Sequence, residues 1–226
     1  MTQSVVDGAH AAAAPKLVLF DFDHVLVRGD AFAEFVRTRC RRSAWRVLAA
    51  LPMLVLALPG GRRRLRGVLV RVLLLGVGAA RYRELADAFG RALAHDPRRL
   101  SRDALAALRV HRHAGDRVVV ATACEETLAR AVLDELGLGA IELVGSRLVA
   151  ARFGLRIEPS NRGVEKARRL GLHGIRPPWD VVYSGSAADL PVLAAARSAV
   201  LVNPDRATLA RASARLGRRL SAVEWR

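Results

Sequence analysis

Cysteine, lysine and aromatic residues are all scarce in this 226-residue sequence. The two cysteines, Cys40 and Cys124, show neither metal-site spacing nor a disulfide pattern, which favours a reducing compartment. Aromatic residues make up only 5% of the chain, which leaves few side chains for stacking on nucleic-acid bases. No nucleic-acid-binding motif occurs either. We therefore expect no nucleic-acid partner, although the net charge is +16.

No apolar segment is suited to crossing a membrane. The uncharged stretch 47–58 would extend roughly 18 Å as a helix, short of the roughly 30 Å hydrocarbon core, and it contains Pro52. A second apolar segment, 68–80, is interrupted by Arg71. Residues 1–15 lack the basic start and apolar centre of a secretory signal, so we predict a flexible tail and a cytoplasmic location.

The basic residues that are present point to an anionic partner. Only two of the 37 are lysines, Lys16 and Lys166, which makes Lys166 a candidate for a role that needs a compact point charge. Arginines flank the two apolar segments, a pattern typical of helices at the surface of an anionic membrane. The alternative is a pair of packed helices whose arginines are merely solvated. The flanking arginines are Arg37, Arg39, Arg41, Arg42, Arg46, Arg62, Arg63, Arg64 and Arg66.

Short apolar runs alternate with helical patterns, which predicts an α/β fold with a parallel sheet covered on both faces. The predicted strands are Lys16–Phe20, Arg117–Ala121, Ile141–Val144, Val181–Tyr183 and Ala199–Val202. The predicted helices are Glu125–Leu136, Val164–Leu170 and Leu190–Arg197, with a small hairpin around Phe153-Gly154. Residues 30–114 show only helical patterns and are predicted to form an inserted cap, between core segments 16–29 and 115–226.

Reactive side chains follow several of the predicted strands. Asp21 and Asp23 follow LVLF, Thr122 follows VVVA, and Asp189 lies shortly after VVY. Lys166 lies in the helix after the hairpin. Ligands of open parallel sheets bind beyond the carboxyl ends of the strands, so this ordered set predicts an active site there. The histidines, His24 among them, show no metal-ligand spacing that supports a separate site.

The set resembles the haloacid dehalogenase superfamily of phosphotransferases, whose first motif, DxDx(T/V), reads DFDHV here. The resemblance implies that Asp21 is a nucleophile forming an aspartyl-phosphate and that Asp23 is the general acid and base. It implies that Thr122 binds a phosphoryl oxygen and that Lys166 balances charge. It also implies Mg²⁺ held by Asp21, Asp23 and Asp189. The fourth motif departs from the family pattern, because YSGSAADLPVL places Gly185 where a ligand aspartate usually stands.

Within the superfamily, a helical cap after the first motif resembles the phosphoserine-phosphatase-like branch, and more closely the phosphatidylglycerophosphatase C family. That resemblance implies an anionic phospholipid substrate, such as phosphatidylglycerol phosphate, at the inner face of the cytoplasmic membrane. Asp30 at the cap entrance and Ser186 in the fourth motif are expected to contact the substrate. The alternatives are a soluble phosphatase for a small molecule and a catalytically weakened phosphate- or lipid-binding protein. The sequence leaves the oligomeric state open.

Overall fold

The computed structural model describes residues 14–42, 61–152, 154–158 and 160–226, with single helical positions at 45, 48, 51 and 55. Most of the predicted tail and most of the uncharged stretch 47–58 lie outside the described residues. So do the side chains of Arg46 and of the arginines at positions 62–66.

A six-stranded sheet forms the centre of the chain, in the order β3-β2-β1-β6-β7-β8. Every neighbouring pair in it is parallel, so the predicted α/β fold class is confirmed. A separate antiparallel hairpin, β4-β5, forms where it was predicted. The strands are β1 Leu17–Phe20, β2 Arg117–Glu125, β3 Glu142–Ser146, β4 Leu148–Ala151, β5 Gly154–Ile157, β6 Trp179–Ser184, β7 Ala196–Val202 and β8 Leu220–Val223.

The described helices cover both faces of the sheet. Alternate residues of a strand point to opposite faces, and accordingly Val18 and Phe20 belong to one buried cluster while Leu19 belongs to another. The helices of the described residues are α1 Ala31–Arg42, α2 Gly61–Leu73, α3 Ala79–Ala94, α4 Arg102–His113, α5 Glu126–Glu135, α6 Val164–Leu172, α7 Leu190–Ala194 and α8 Arg206–Leu216.

One predicted helix is shorter than its sequence pattern. The helix expected over Leu190–Arg197 ends at Ala194, and β7 begins at Ala196. The reason is tertiary, because Ala196 pairs with Trp179 and Ser198 pairs with Val181 on β6. Residues 196 and 197, which the sequence pattern placed in the helix, therefore belong to β7, because β7 is hydrogen-bonded to β6 there.

Helices α1 to α4 all lie between β1 and β2, in the segment predicted to be a cap. Helix α3 packs closely on α5, because a Cβ added at Gly90 would lie 2.6 Å from the Cβ of Ala131. Helix α4 contacts β2 of the sheet. The boundary of the cap at residue 114 stays a prediction. None of the helices in the described ranges is both long and apolar enough to span a bilayer.

Candidate active site

The register of the sheet brings the predicted reactive residues to one edge. Phe20 pairs with Val120 on one side and with Tyr183 on the other. Asp21 therefore leaves the sheet level with Ser184, the last residue of β6, and one residue before the level of Thr122 in β2. Strands β1 and β6 end at this level, whereas β2 continues to Glu125, and ligands of open parallel sheets bind beyond such carboxyl ends.

Lys166 joins two of the predicted site residues. Its ammonium nitrogen lies 3.2 Å from Asp21 Oδ2 and 2.5 Å from Asp189 Oδ2. All three side chains are buried. The hydroxyl of Ser184 also donates to Asp189 Oδ2, at 3.0 Å. A lysine whose ammonium bridges two buried carboxylates fixes both of them at the sheet edge.

Burial and charge act in opposite directions on this cluster. Burial raises the pKa of Asp21 well above its usual range; Lys166 lowers it, and Asp189 raises it again. Burial would also raise the pKa of Asp189. The charge of Lys166 and the hydrogen bonds that the Asp189 carboxylate accepts outweigh burial and hold this pKa below its usual range. Burial would lower the pKa of Lys166, yet the charges of Asp189 and Asp21 outweigh it and raise that pKa. The favoured state is a charged Lys166–Asp189 pair beside a carboxyl that burial makes harder to ionise.

Asp23 and Asp30 both lie at the start of α1. Asp23 Oδ1 accepts a hydrogen bond from the amide of Ala31 at 2.9 Å, and Asp30 Oδ1 accepts one from the amide of Ala33 at 2.7 Å. Amides at a helix N-terminus have no partner within the helix, and their dipole favours carboxylates. Helix α1 thus anchors Asp23 next to the site. Asp30 caps the helix, and its predicted contact with substrate stays a prediction.

Thr122 lies within β2, and Ser186 lies two residues after the end of β6. Thr122 is fully buried and its hydroxyl accepts a hydrogen bond from the amide of Cys124 at 2.9 Å. The hydroxyl of Ser186 accepts one from the amide of Ala188 at 3.2 Å. Each hydroxyl still has a proton to donate, so both side chains can bind an anionic oxygen.

The sequence pattern assigned no role to two further residues, Ser184 and Glu125. Ser184 is one of the polar residues that directly follow VVY, and its hydroxyl donates to Asp189. Glu125 is buried at the end of β2, where it accepts hydrogen bonds from the Tyr82 hydroxyl at 2.5 Å and from the amide of Leu128 at 3.0 Å. Tyr82 belongs to α3, so this contact ties the helical segment to the strand that carries Thr122. Nothing in the spacing of Tyr82 and Glu125 along the chain indicates their contact.

Gly185 lies against His24. A Cβ at position 185 would be 2.9 Å from the Cβ of His24 and 3.0 Å from its carbonyl oxygen. His24 has a left-handed backbone, with φ of 63°. This close approach explains why residue 185 is a glycine, since any other side chain requires the loop after β1 to move.

The residues at this edge do not form the ligand set expected for Mg²⁺. Within the described ranges, no three side chains of His, Cys, Asp or Glu are grouped closely enough to hold a metal ion. Asp189, one of the predicted ligands, directs its carboxylate to Lys166 and Ser184. Gly185 offers no side-chain oxygen. Asp21 and Asp23 remain as oxygen donors, and Mg²⁺ is usually bound through one or two carboxylates together with water and substrate phosphate.

The chain therefore pairs a buried lysine with two buried carboxylates at the sheet edge where ligands of open α/β folds bind. Its family follows from comparison: the chain belongs to the haloacid dehalogenase-like hydrolases, whose family model matches residues 18–194.

Individual proteins show the same relationship. Protein CicA from Caulobacter vibrioides is 35% identical over 136 residues, which is 59% of this chain and 60% of CicA. A protein of unknown function from Bordetella pertussis has a TM-score of 0.70 at 21% identity, covering 92% of this chain and 98% of that one. A probable phosphoserine phosphatase from Vibrio cholerae has a TM-score of 0.61 at 14% identity, covering 92% of this chain and 60% of that one. At these identities the two structures show a shared fold.

Proposed function

We propose that this chain is a phosphomonoester hydrolase that works through a phosphorylated Asp21. The observation that carries the proposal is the buried ammonium of Lys166, 3.2 Å from Asp21 Oδ2. A carboxylate attacking a phosphoryl group must approach another anion. A fixed, desolvated cation beside the carboxylate reduces that repulsion and costs no reorganisation when the reaction occurs.

The proposed reaction has two displacements at phosphorus. A carboxylate oxygen of Asp21 forms a bond to phosphorus while the bond to the ester oxygen breaks, and Asp23 donates a proton to that leaving oxygen. Water then attacks the same phosphorus as Asp23 accepts its proton, and the bond to Asp21 breaks to release inorganic phosphate. Thr122 and Lys166 bind the phosphoryl oxygens throughout.

A divalent cation is part of the proposal, with Mg²⁺ as the ion that the family resemblance implies. Charge supports it: Lys166 is a single ammonium between the buried carboxylates of Asp21 and Asp189, and the charge of buried Asp23 also raises the pKa of Asp21. A cation would lower the pKa of Asp21 and so keep the nucleophile ionised. The incomplete set of oxygen ligands predicts that Mg²⁺ binds weakly.

Hydrolysis of an aryl phosphate with added divalent cation tests the chemistry. Replacing the nucleophile in Asp21→Asn should lower turnover by about 10³-fold or more, while Asp134→Asn, on the exposed surface of α5, should match the wild type. Rapid quenching after addition of ³²P-labelled substrate should trap acid-stable label on the wild-type protein and none on Asp21→Asn. Equal turnover of wild type and Asp21→Asn would disprove the proposed nucleophile.

The proposed substrate class is an anionic phospholipid with a terminal phosphomonoester, such as phosphatidylglycerol phosphate. The supporting observation is an exposed apolar set in the helical segment: Trp45, Leu48, Leu51 and Val55 are 67%, 69%, 53% and 55% exposed. All four positions are helical, and their spacing of three or four residues is that of a single helix face. The exposed Arg41 and Arg42 precede them. Apolar side chains beside arginines suit the headgroup region of an anionic membrane.

Flotation with liposomes tests this placement. The protein should float with liposomes rich in anionic lipid, and less so at high salt, which screens the arginines. Leu48→Ser with Leu51→Ser should reduce flotation, whereas Leu172→Ser, at a leucine 72% exposed elsewhere, should not. Absence of flotation would favour the alternative, a soluble phosphatase for a small substrate. A panel of phosphatidylglycerol phosphate, phosphatidic acid and phosphoserine in mixed micelles then identifies the substrate.

A further inference from the structure

Strand β2 is irregular where it carries Thr122. Its pairing with β3 is regular as far as Ala121, which lies opposite Val144. The pairing resumes only at Glu125, which lies opposite Ser146, so three residues of β2 face one residue of β3. Bulges of this kind bend a strand and are common next to active sites, where they redirect a side chain. The position of the Thr122 hydroxyl therefore depends on what holds the bulge in shape.

Ser146 holds this bulge from the side of β3. It is fully buried, and its hydroxyl donates a hydrogen bond at 2.9 Å to the carbonyl of Ala123, the residue after Thr122. The Thr122 hydroxyl accepts its own hydrogen bond from the amide of Cys124, which belongs to the same bulge. A shift of the bulge would therefore move the hydroxyl that is expected to bind a phosphoryl oxygen.

Asn161 determines the direction in which the Ser146 hydroxyl donates. Its backbone amide donates to that hydroxyl at 2.9 Å. One lone pair of the oxygen is thus occupied, and the single proton of the hydroxyl goes to the carbonyl of Ala123. The side-chain amide of Asn161 donates to the carbonyl of Val144 at 2.8 Å, which holds Asn161 against the end of β3.

The side chain of Asn161 is not explained by stability alone. It is fully buried, and its Oδ1 has no hydrogen-bond partner among the described residues. A buried acceptor without a partner carries a desolvation cost, so such a group needs another explanation. The contacts of Asn161 with β3 and with the Ser146 hydroxyl supply one, because they fix the shape of the bulge.

The segment that contains Asn161 is also fixed to the Lys166–Asp189 pair. The amide nitrogen of Gly163 lies 3.5 Å from Asp189 Oδ1. A Cβ at position 163 would lie 3.0 Å from the carbonyl oxygen of Ala188, which shows how closely the segment approaches the turn before α7. The segment therefore connects the end of β3 with this charged pair.

We propose that Ser146 and Asn161 are positioning residues for the Thr122 hydroxyl. They hold it at a fixed place relative to the ammonium of Lys166 and act only through the bulge of β2. The inference rests on the proposed function, in which Thr122 and Lys166 bind oxygens of the same phosphoryl group. A misplacement of about 1 Å can cost about 100-fold in rate, so the contacts of a buried serine can determine turnover.

A double-mutant cycle in the hydrolysis of an aryl phosphate, with Mg²⁺ present, tests the proposal. Ser146→Ala should lower kcat/KM about 10- to 100-fold. In the background of Thr122→Ala the same substitution should lower it by less than about threefold, because the hydroxyl that it displaces is already absent. A serine that only stabilises the fold would lower kcat/KM by the same factor in both backgrounds.

Three further variants separate the hydrogen bonds from volume and from stability. Ser146→Cys keeps the volume but donates only weakly, so its kcat/KM should fall between those of wild type and Ser146→Ala. Wild-type activity in Ser146→Cys would refute the role of the hydrogen bond. Asn161→Ala should lower kcat/KM about tenfold, and by less than about threefold in the Thr122→Ala background. Thr208→Ala, which removes a buried hydroxyl from α8, should lower stability to urea and leave kcat/KM unchanged.

Calorimetric titration with inorganic phosphate, again with Mg²⁺, gives a measurement that needs no turnover. Ser146→Ala should weaken phosphate binding about tenfold, because a displaced Thr122 hydroxyl no longer reaches the anion. In the Thr122→Ala background the same substitution should weaken it by less than about threefold. Circular dichroism shows that each variant is folded, and if Ser146→Ala is not, Ser146→Cys and Asn161→Ala decide the question.

The outcomes separate this inference from the proposed function. Equal kcat/KM in wild type and Ser146→Ala, or equal losses with and without Thr122, would overturn the positioning role even if hydrolysis depends on Asp21. A protein that hydrolyses no phosphomonoester but shows the non-additive loss of phosphate affinity would support the positioning role and refute the proposed function. A wild type that neither hydrolyses phosphomonoesters nor binds phosphate would overturn both.

Discussion

Removing the ammonium of Lys166 should destabilise the fold in a pH-dependent way. In Lys166→Met, Asp189 loses a partner at 2.5 Å and Asp21 loses one at 3.2 Å, and both carboxyls stay buried. Removing one member of a buried ion pair costs about 3–5 kcal/mol, which for a chain of this size lowers the melting temperature by about 6–20 °C. Methionine keeps the length and the apolar part of the side chain, so the loss measures the missing charge.

The sign of the pH dependence follows from the pKa directions. The folded-state pKa of Asp189 is lowered, so its stabilising contribution is present above its unfolded pKa and is lost as pH falls through the folded value. The folded-state pKa of Lys166 is raised, so its contribution is present below its unfolded pKa and is lost as pH rises through the folded value. Near neutral pH both contributions are present in the wild type.

In the variant the two buried carboxyls lack their counter-charge, so both pKa values should rise and protonation should relieve the repulsion. The stability difference between wild type and Lys166→Met should therefore be largest near pH 7.5 and shrink toward pH 5, by about 1.4 kcal/mol for each unit of pKa shift. Urea unfolding in the presence of a chelator measures it. Lys16→Met, at the exposed second lysine, should change stability by less than about 0.5 kcal/mol. A loss under about 1 kcal/mol, or an equal loss at both pH values, would refute the role of Lys166 as counter-charge.

Two further substitutions test how the helical segment is held. Gly90→Ala should destabilise the fold by about 1–3 kcal/mol despite its gain in helix propensity, because the new Cβ would lie 2.6 Å from that of Ala131. Gly171→Ala, on an open helix surface, should instead be neutral or stabilising. If both substitutions shift the melting temperature in the same direction, the close packing of Gly90 on Ala131 is contradicted. Tyr82→Phe removes the hydrogen bond to buried Glu125 and should cost about 1.5–3 kcal/mol near neutral pH. Because burial raises the pKa of Glu125, that loss should diminish in acid, where the carboxyl is protonated, and a loss that is constant with pH would argue against the contact.

Much of the fold could be predicted because local patterns determine it. The apolar runs around Val18 and Val118 have no polar face, which indicates strands buried on both sides, and both occur in the sheet. The boundary after Ala194 could not be predicted, because a short helical pattern competes there with pairing to β6, and the pairing is non-local.

The residues at the carboxyl edge of the sheet could be predicted from the sequence, but the contacts between their side chains could not. Asp21 and Lys166 were indicated by motif and by the rarity of lysine, and the fold brings them to 3.2 Å. Asp189 was expected to hold a metal, and the structure pairs it with Lys166 instead. Its role as a metal ligand stays a prediction. Its pairing with Lys166 depends on packing between distant parts of the chain, which the motif does not show.

The sequence by itself determined the alternation of strands and helices from β1 to β7, the family motifs and the glycine at position 185, because each is a local pattern of side chains. Helix α8 and strand β8 were not predicted. Only the tertiary structure decided that Gly185 lies against His24, about 160 residues earlier in the chain. The physical reason is that excluded volume acts between residues that the folded backbone brings together, whatever their separation in sequence. The same holds for Tyr82 and Glu125, whose hydrogen bond exists because α3 packs on the helix that begins beside Glu125.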